Sequence, residues 1–564
     1  LQRAGDNFKM PANLLTSFFL IGWGTWCALS GQTPKDYDWG RFTHADTLRG
    51  ALSPQRACFD VHYYDLSLRI NVAERSIAGF NVIHFHVLEP FVNFQLDLFE
   101  NLSVEKIVHR NKPVPFEREG AAIFVQLDKS LAPGSRDSVS VYYSGQPRVA
   151  PKAPWDGGFV WATDERGRPW VGVACEGLGA SSWWPLKDHL SDEPDSMRAS
   201  FETPQELVCV SNGRKIQEKN LGDGYTRTVW KISSPINSYN LTVNIADYAH
   251  FADTLRGENG TLTLDYYVLS YNLGKAQKHF WQVKPMLRCF EKHFGPYPFY
   301  QDGYKLVETP YWGMEHQSCV AYGNHYKNDP VYNFDFIIVH ESGHEWFGNS
   351  LSADDHGELW IHEAFTTYAE AVYVECRYDY PTAVNYLRRH KERIAFLEPI
   401  QGPRNVNFDR FATSDMYMKG AWMLHTLRSI VADDDLWFRV LRKFCSDFYR
   451  KTVNAKIVVE WFGKELTGRA DGLKPFFDRY LNYASIPTLE CAWETTPEGP
   501  ALHYRWADVA DNFDMPLDVY LRDGVKVRIR PTTTRQTLRD DRLSVKSFRI
   551  DEDSFLVNFK LKEK

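Results

Sequence analysis

From about Cys58 to about Leu262 the chain alternates apolar and polar residues in short runs broken by turns. Tyr64-Asp65-Leu66-Ser67-Leu68-Arg69-Ile70, Asn81-Val82-Ile83-His84-Phe85-His86-Val87 and Ser138-Val139-Ser140-Val141-Tyr142-Tyr143 carry the pattern. A period of two sends successive side chains to opposite faces of a strand, so these runs predict a large antiparallel β-domain over 58–262. From about Thr263 to Ser485 the period lengthens, and helices are expected over 275–293, 333–349, 358–376, 381–397, 417–432 and 436–450. Alternation returns after Pro487, in 503–506, 517–521, 525–529 and 555–559, enough for a small β-sandwich over 487–564. The expected fold is α+β and multidomain, with a mainly helical region over 263–486 between two β-domains. The hexapeptide Ala-Asp-Thr-Leu-Arg-Gly stands at 45–50 and again at 252–257, but its flanks differ, which reads as coincidence and not as a repeat.

The helical part holds the candidate chemistry. His340-Glu341-Ser342-Gly343-His344 is followed, eighteen residues later, by Glu363. An HExxH segment in a helix puts two imidazoles one turn apart, about 6 Å along the axis, with the glutamate beside them. Phe334, Ile337, Ile338 and Phe347 supply apolar residues at helical spacing, and Asn333 is the expected cap. On the second helix Ile361, Ala364, Phe365, Tyr368, Val372 and Cys376 form the core-facing stripe, which leaves Glu363 off that row. A catalytic zinc site takes three protein ligands and keeps a fourth position open. His340, His344 and Glu363 fit that demand, with one Zn2+ per chain and Glu341 as an attached base.

Bulk composition narrows the setting. A chain of 564 residues exceeds one core and suggests about three or four domains. The net charge of −7 offers no basic surface for nucleic acid. Aromatic content of 15%, with 18 Trp, suits β-rich domains with aromatic-lined clefts. Leu14 to Leu29 is almost wholly apolar, so residues 1–31 read as an export signal, with a membrane anchor as the alternative, and 32–57 as a linker. The expectation is an exported protein, periplasmic or extracellular. No second segment is apolar enough to span a bilayer. The nine cysteines form no CxxC pair, and buried free thiols are the default expectation.

Further motifs stand around the HExxH segment in a fixed order: Phe294-Gly295-Pro296-Tyr297-Pro298-Phe299, Trp312-Gly313-Met314-Glu315-His316, His344-Glu345-Trp346-Phe347-Gly348-Asn349, Trp360-Ile361-His362-Glu363-Ala364-Phe365 and Tyr417-Met418-Lys419-Gly420. Upstream lie Cys175-Glu176 and Trp183-Trp184-Pro185-Leu186-Lys187-Asp188. In this order the chain, from about residue 60 onward, resembles the zinc aminopeptidase family of aminopeptidase N and leukotriene hydrolase. The resemblance implies a thermolysin-like catalytic domain over 263–486 and a substrate that is a peptide with a free N-terminus. It assigns the oxyanion donor to Tyr417 and the anchor of the α-ammonium group to Glu315, with Glu176 as second anchor. It also implies that Gly313 and Met314 pair with the extended substrate as an added strand would. Departures from the family pattern are His316 for an asparagine, Trp312 for a glycine, Glu345 for a glutamine, and His362 and Ala364 for the Asn and Gly around the third ligand. None removes an atom that bonds metal or moves a proton. Rival readings are a relative that also opens a lipid epoxide and a catalytically silent peptide-binding protein. A thermolysin-type endopeptidase has no use for Glu315.

Overall fold

The computed structural model describes residues 37–497 and 499–562. The expected export signal falls on residues outside that range. Residues 37–57, expected as a linker, carry two short helices, His44–Gly50 and Pro54–Ala57. Arg56 in the second is fully buried, and its guanidinium donates to Asp97 at 2.6 Å. The repeated hexapeptide takes two forms. At 45–50 it is helical behind a Thr43/Asp46 capping box, and at 252–257 it lies in a strand paired with 260–265. Flanking caps and pairing partners override the local sequence.

The N-terminal region is built on an eight-stranded sheet. Its pairs are antiparallel except for Phe59–Asn71 against Ser196–Pro204, which run parallel in the register Tyr63↔Ser196 to Arg69↔Glu202. Period-two alternation reports which face a side chain takes and is blind to strand direction, so the parallel pair was not foreseeable. Two smaller sheets, of four and three strands, pack over the same core around Phe59, Tyr64, Phe94, Trp183 and Trp184.

The sheet that flanks the helical part draws on strands from before residue 263. Strands β1 (Tyr248–Gly257) and β2 (Gly260–Leu269) form a hairpin, and β2 runs parallel to β3 (Tyr304–Glu308). With β4 (Gly313–Met314) and β5 (Val320–Tyr322) the order is β1-β2-β3-β5-β4. Alternation along these strands serves two cores. Tyr304, Leu306, Val320 and Tyr322 face the helices, while Val307 and Ala321 face the N-terminal β-core. β4 is the sheet's outer strand and, among the described residues, pairs only with β5.

Helices α1 (Val283–Phe294), α2 (Phe336–Gly343), α3 (Trp360–Arg377), α4 (Tyr380–Lys391), α5 (Asp415–Val431) and α6 (Asp434–Asp447) follow. α3 is central and packs against α1, α2, α4 and α5. Cys289 on α1 and Cys376 on α3 are disulfide-bonded, so for this pair the expectation of free thiols is replaced; among the described residues six other cysteines are free and buried. Helix α2 is shorter than the expected 333–349, and its cap is Asp335, whose carboxylate accepts from the Ile337 N–H, not Asn333. Asn333 takes a left-handed φ of 48° and its amide oxygen is used by Asn328. The last region has sheets of four and three strands whose buried residues join the catalytic core. Phe555, Leu556 and Val557, expected in a strand, plug that core from an irregular segment, and the strand begins at Asn558. Among the described residues no helix is long and apolar enough to cross a membrane.

Candidate active site

All nine residues singled out from the sequence line one cleft of about 790 Å³: Glu176, Gly313, Met314, Glu315, His340, Glu341, His344, Glu363 and Tyr417. The cleft lies where β4, α2, α3 and α5 meet the Cys175–Gly179 turn of the N-terminal region. His340 is in the last turn of α2, and His344 follows with helical φ and ψ, so the two rings stay one turn apart. Glu363 is in the first turn of α3. Gly343 lets the helices approach closely, because a Cβ there would stand 3.1 Å from the Thr366 methyl.

Three donor atoms converge. His340 Nε2 lies 3.3 Å from His344 Nε2, and Glu363 Oε2 lies 3.3 and 3.5 Å from the two. Donors about 2.0–2.1 Å from a shared tetrahedral centre stand roughly 3.3–3.4 Å apart, so the triangle has the size zinc requires. The far ring nitrogens fix the tautomers. His340 Nδ1 faces Glu370 Oε1 at 2.7 Å, and His344 Nδ1 faces the Phe347 carbonyl at 2.9 Å. Acceptors at both Nδ1 atoms place the protons there and leave both Nε2 lone pairs turned inward. Glu363 Oε2 is buried and has no hydrogen-bond partner among the described residues. Two lone pairs and an unpartnered carboxylate oxygen pointing at one spot suit a cation.

Glu370 is a site residue that the sequence reading missed. It is buried on α3 two turns after Glu363 and also accepts from Tyr386 Oη at 2.5 Å. The seven-residue spacing from Glu363 was the signal available for it.

Glu341 packs against the backbone of β4. A Cβ on Gly313 would lie 2.4 Å from Glu341 Oε1, so a glycine at 313 makes room for the carboxylate. Burial pushes the Glu341 carboxyl up to about 8, against the pull of the two imidazoles. Tyr417 stacks over His340, with ring centroids 6.0 Å apart. Its position is set by the residues that follow it. Gly420 lets α5 touch α3, since a Cβ there would be 2.4 Å from Ala364 Cβ, and the buried Lys419 ammonium binds the carbonyls of Tyr483 and Ala484. Burial and the neighbouring Glu363 hold the Tyr417 hydroxyl well above the usual phenol range, so it keeps its proton.

On the other side of Glu341 two carboxyls face each other. Glu315 accepts from Tyr239 Oη at 3.0 Å, and oxygens of Glu315 and Glu176 lie within 4.8 Å of each other. Burial, then the Glu315 charge, push the Glu176 carboxyl well above the usual carboxylate range. Glu176 Oε1 has no hydrogen-bond partner among the described residues. Its backbone is held by His356, whose Nε2 meets the Glu176 carbonyl at 2.9 Å. The pair forms a second cation-seeking spot, beside the first.

The departures lie around this frame. His362 Nε2 accepts from the Ala353 N–H at 2.8 Å, which puts its proton on Nδ1. His316 is fully buried, and burial holds its pKa at about 3, so it is neutral. Glu345 accepts from the Ser318 N–H at 2.8 Å, and burial raises its pKa to about 8.

Residues 282–480 match the Peptidase family M1 domain. Over 461 residues the chain is 26% identical to human aminopeptidase B, covering 73% of this chain and 67% of that one. It is 25% identical over 402 residues to the mouse aminopeptidase B, of which it spans 58%, with 66% of this chain covered. Xenopus laevis leukotriene A-4 hydrolase is 20% identical over 507 residues, covering 81% of this chain and 79% of that protein. The M1 zinc metallopeptidase from Deinococcus radiodurans shares the fold, with a TM-score of 0.65 at 20% identity over 74% of this chain and 93% of that one. With this cleft on this fold, residues 282–480 carry the Peptidase family M1 domain, and the relatives and solved structures support a place among the gluzincin aminopeptidases.

Proposed function

We propose that this protein is a zinc-dependent aminopeptidase that removes N-terminal residues from peptides, with one zinc ion per chain held by His340, His344 and Glu363. The observation that carries the reading is the facing pair Glu176 and Glu315 beside the three-donor cage. A buried and a half-buried carboxyl at that separation repel when both are ionised, and a substrate α-ammonium between them relieves the repulsion with charge-assisted hydrogen bonds. An endopeptidase has no free ammonium to place there.

Bound zinc would supply Lewis acidity, polarising the scissile carbonyl and making water a better acid. The chain's own residues do the rest. Glu315 and Glu176 hold the ammonium and so place the first peptide bond of the substrate over Glu341. The free edge of β4 offers backbone groups of Gly313 and Met314 to an extended peptide. Glu341 accepts the proton of the attacking water and returns it to the departing nitrogen. The Tyr417 hydroxyl donates a hydrogen bond to the oxygen on which negative charge develops. Glu370 and the Phe347 carbonyl keep both imidazoles in the ligating tautomer.

The test is metal dependence on free-amine substrates. Hydrolysis of aminoacyl amides should vanish after dialysis against a chelator and return with zinc, reaching its plateau near one equivalent. Activity that survives removal of zinc, or a plateau at two equivalents, sinks the reading. Export is proposed on the apolar run Leu14 to Leu29, and fractionation of the producing cell tests it: a protein confined to the cytosol would rule it out.

A further inference from the structure

Beyond the cage, a row of aromatic rings runs out of the cleft. Phe336 stacks on the ligand His340 with centroids 5.2 Å apart, Trp312 lies 5.7 Å from Phe336, and Trp155 lies 6.2 Å from Trp312. The outer two indoles are unusually open for their type, with Trp312 45% and Trp155 61% exposed, and both line the cleft. They are also held in place. Trp312 Nε1 donates to Asn324 Oδ1 at 3.1 Å, and Asn324 in turn donates to Asp335, the residue that caps α2. The Lys152 ammonium sits 5.2 Å from the Trp155 ring centroid. Large apolar surface kept exposed at the mouth of a site marks a binding surface.

The order of residues along β4 says what binds there. Glu315 meets the ammonium, Gly313 lies against Glu341 and so against the scissile bond, and Trp312 comes next. A substrate whose N-terminus is at Glu315 therefore runs antiparallel to β4 and passes Trp312 just after the bond to be cut. We infer that Trp312 and Trp155 form an aromatic clamp for the side chain of the residue that follows the scissile bond, selecting peptides with an aromatic or large apolar residue in second position. This rests on the aminopeptidase reading above.

Stacking on one or two fixed indoles gives about tenfold discrimination. The zinc-loaded full chain should cleave Leu-Phe-Gly with a kcat/KM about tenfold above that for Leu-Gly-Gly, followed by released leucine. Trp312→Gly and Trp155→Ala should each lower that ratio at least threefold, and Trp312→Phe should restore most of it. Because each ratio is taken on one protein preparation, partial loss of folded protein does not alter it. In a Glu341→Gln background, calorimetry should show the same preference in Kd. A ratio near one in the unaltered chain, a ratio unmoved by both substitutions, or an advantage for Leu-Gly-Phe in place of Leu-Phe-Gly overturns the clamp. Leucine released from all three peptides at similar rates overturns the clamp alone, whereas release from none overturns the aminopeptidase reading with it.

Discussion

Replacing Glu370 by glutamine keeps the side chain's size and removes its charge. The carboxylate is 1% exposed and serves two donors, His340 Nδ1 at 2.7 Å and Tyr386 Oη at 2.5 Å. A glutamine offers one oxygen and one NH2 group, so one of those donors must face another donor. A hydrogen bond to a charged group contributes about 1.5–3 kcal/mol, and at about 1.4 kcal/mol per factor of ten the loss corresponds to roughly 10–100-fold. It falls on zinc affinity, because the carboxylate orients the His340 ring and raises the basicity of Nε2. Competition with a chromophoric chelator should show the zinc Kd of Glu370→Gln raised by about 10–100-fold, with far-UV circular dichroism of the metal-free protein unchanged. Tyr386→Phe keeps the charge and removes one donor, so its effect should be about tenfold or less. A Glu370→Gln Kd within twofold of the unaltered protein would refute the role given to this carboxylate.

Three more outcomes follow from the same geometry. Glu341→Gln should bind zinc as tightly as the parent yet lose roughly 10²–10⁴-fold in kcat, and retained turnover would remove its role as base. Gly313→Ala puts a methyl 2.4 Å from the present Glu341 Oε1, so the carboxylate must shift; kcat should drop about tenfold or more while zinc content holds, and an unchanged kcat would show that the contact is not restrictive. Arg56→Ala leaves the buried Asp97 without its ion-pair partner and should cost about 3–5 kcal/mol in chemical denaturation, whereas a loss under about 1 kcal/mol would mean that Asp97 finds compensation elsewhere.

Much of the site was readable in the sequence because its chemistry rides on short spacings. His340 and His344 are one helical turn apart wherever the helix ends, so the early stop of α2 at Gly343 did not separate them. Glu363 stood out by lying off the apolar stripe of α3. That same criterion hid Glu370, because α3 is buried on nearly every side and its polar row is as enclosed as its apolar one. The cap was misplaced by two residues, since Asn333 and Asp335 are both good cap types and only the turn conformation at 333 decides between them. Hydrophobic periodicity ended the β-rich part at about Leu262, inside the strand Gly260–Leu269, and could not say which sheet that strand joins; its pairing with Tyr304–Glu308 carries the hairpin into the sheet beside the helices. Trp155 lay beyond reach for the same reason. Its partner Trp312 is 157 positions away, and only the folded chain puts the two indoles side by side.

In the proposed function, the facing carboxyls Glu176 and Glu315 turn a zinc hydrolase site into one that demands a free N-terminus. The direct measurement is kcat/KM for Leu-Phe-Gly against N-acetyl-Leu-Phe-Gly on the zinc-loaded chain, repeated with Glu315→Ala. The free amine should be preferred by about 10–100-fold, the size of a charge-assisted contact, and Glu315→Ala should erase most of that preference. Equal cleavage of the free and acetylated peptides, or a preference untouched by Glu315→Ala, would contradict it.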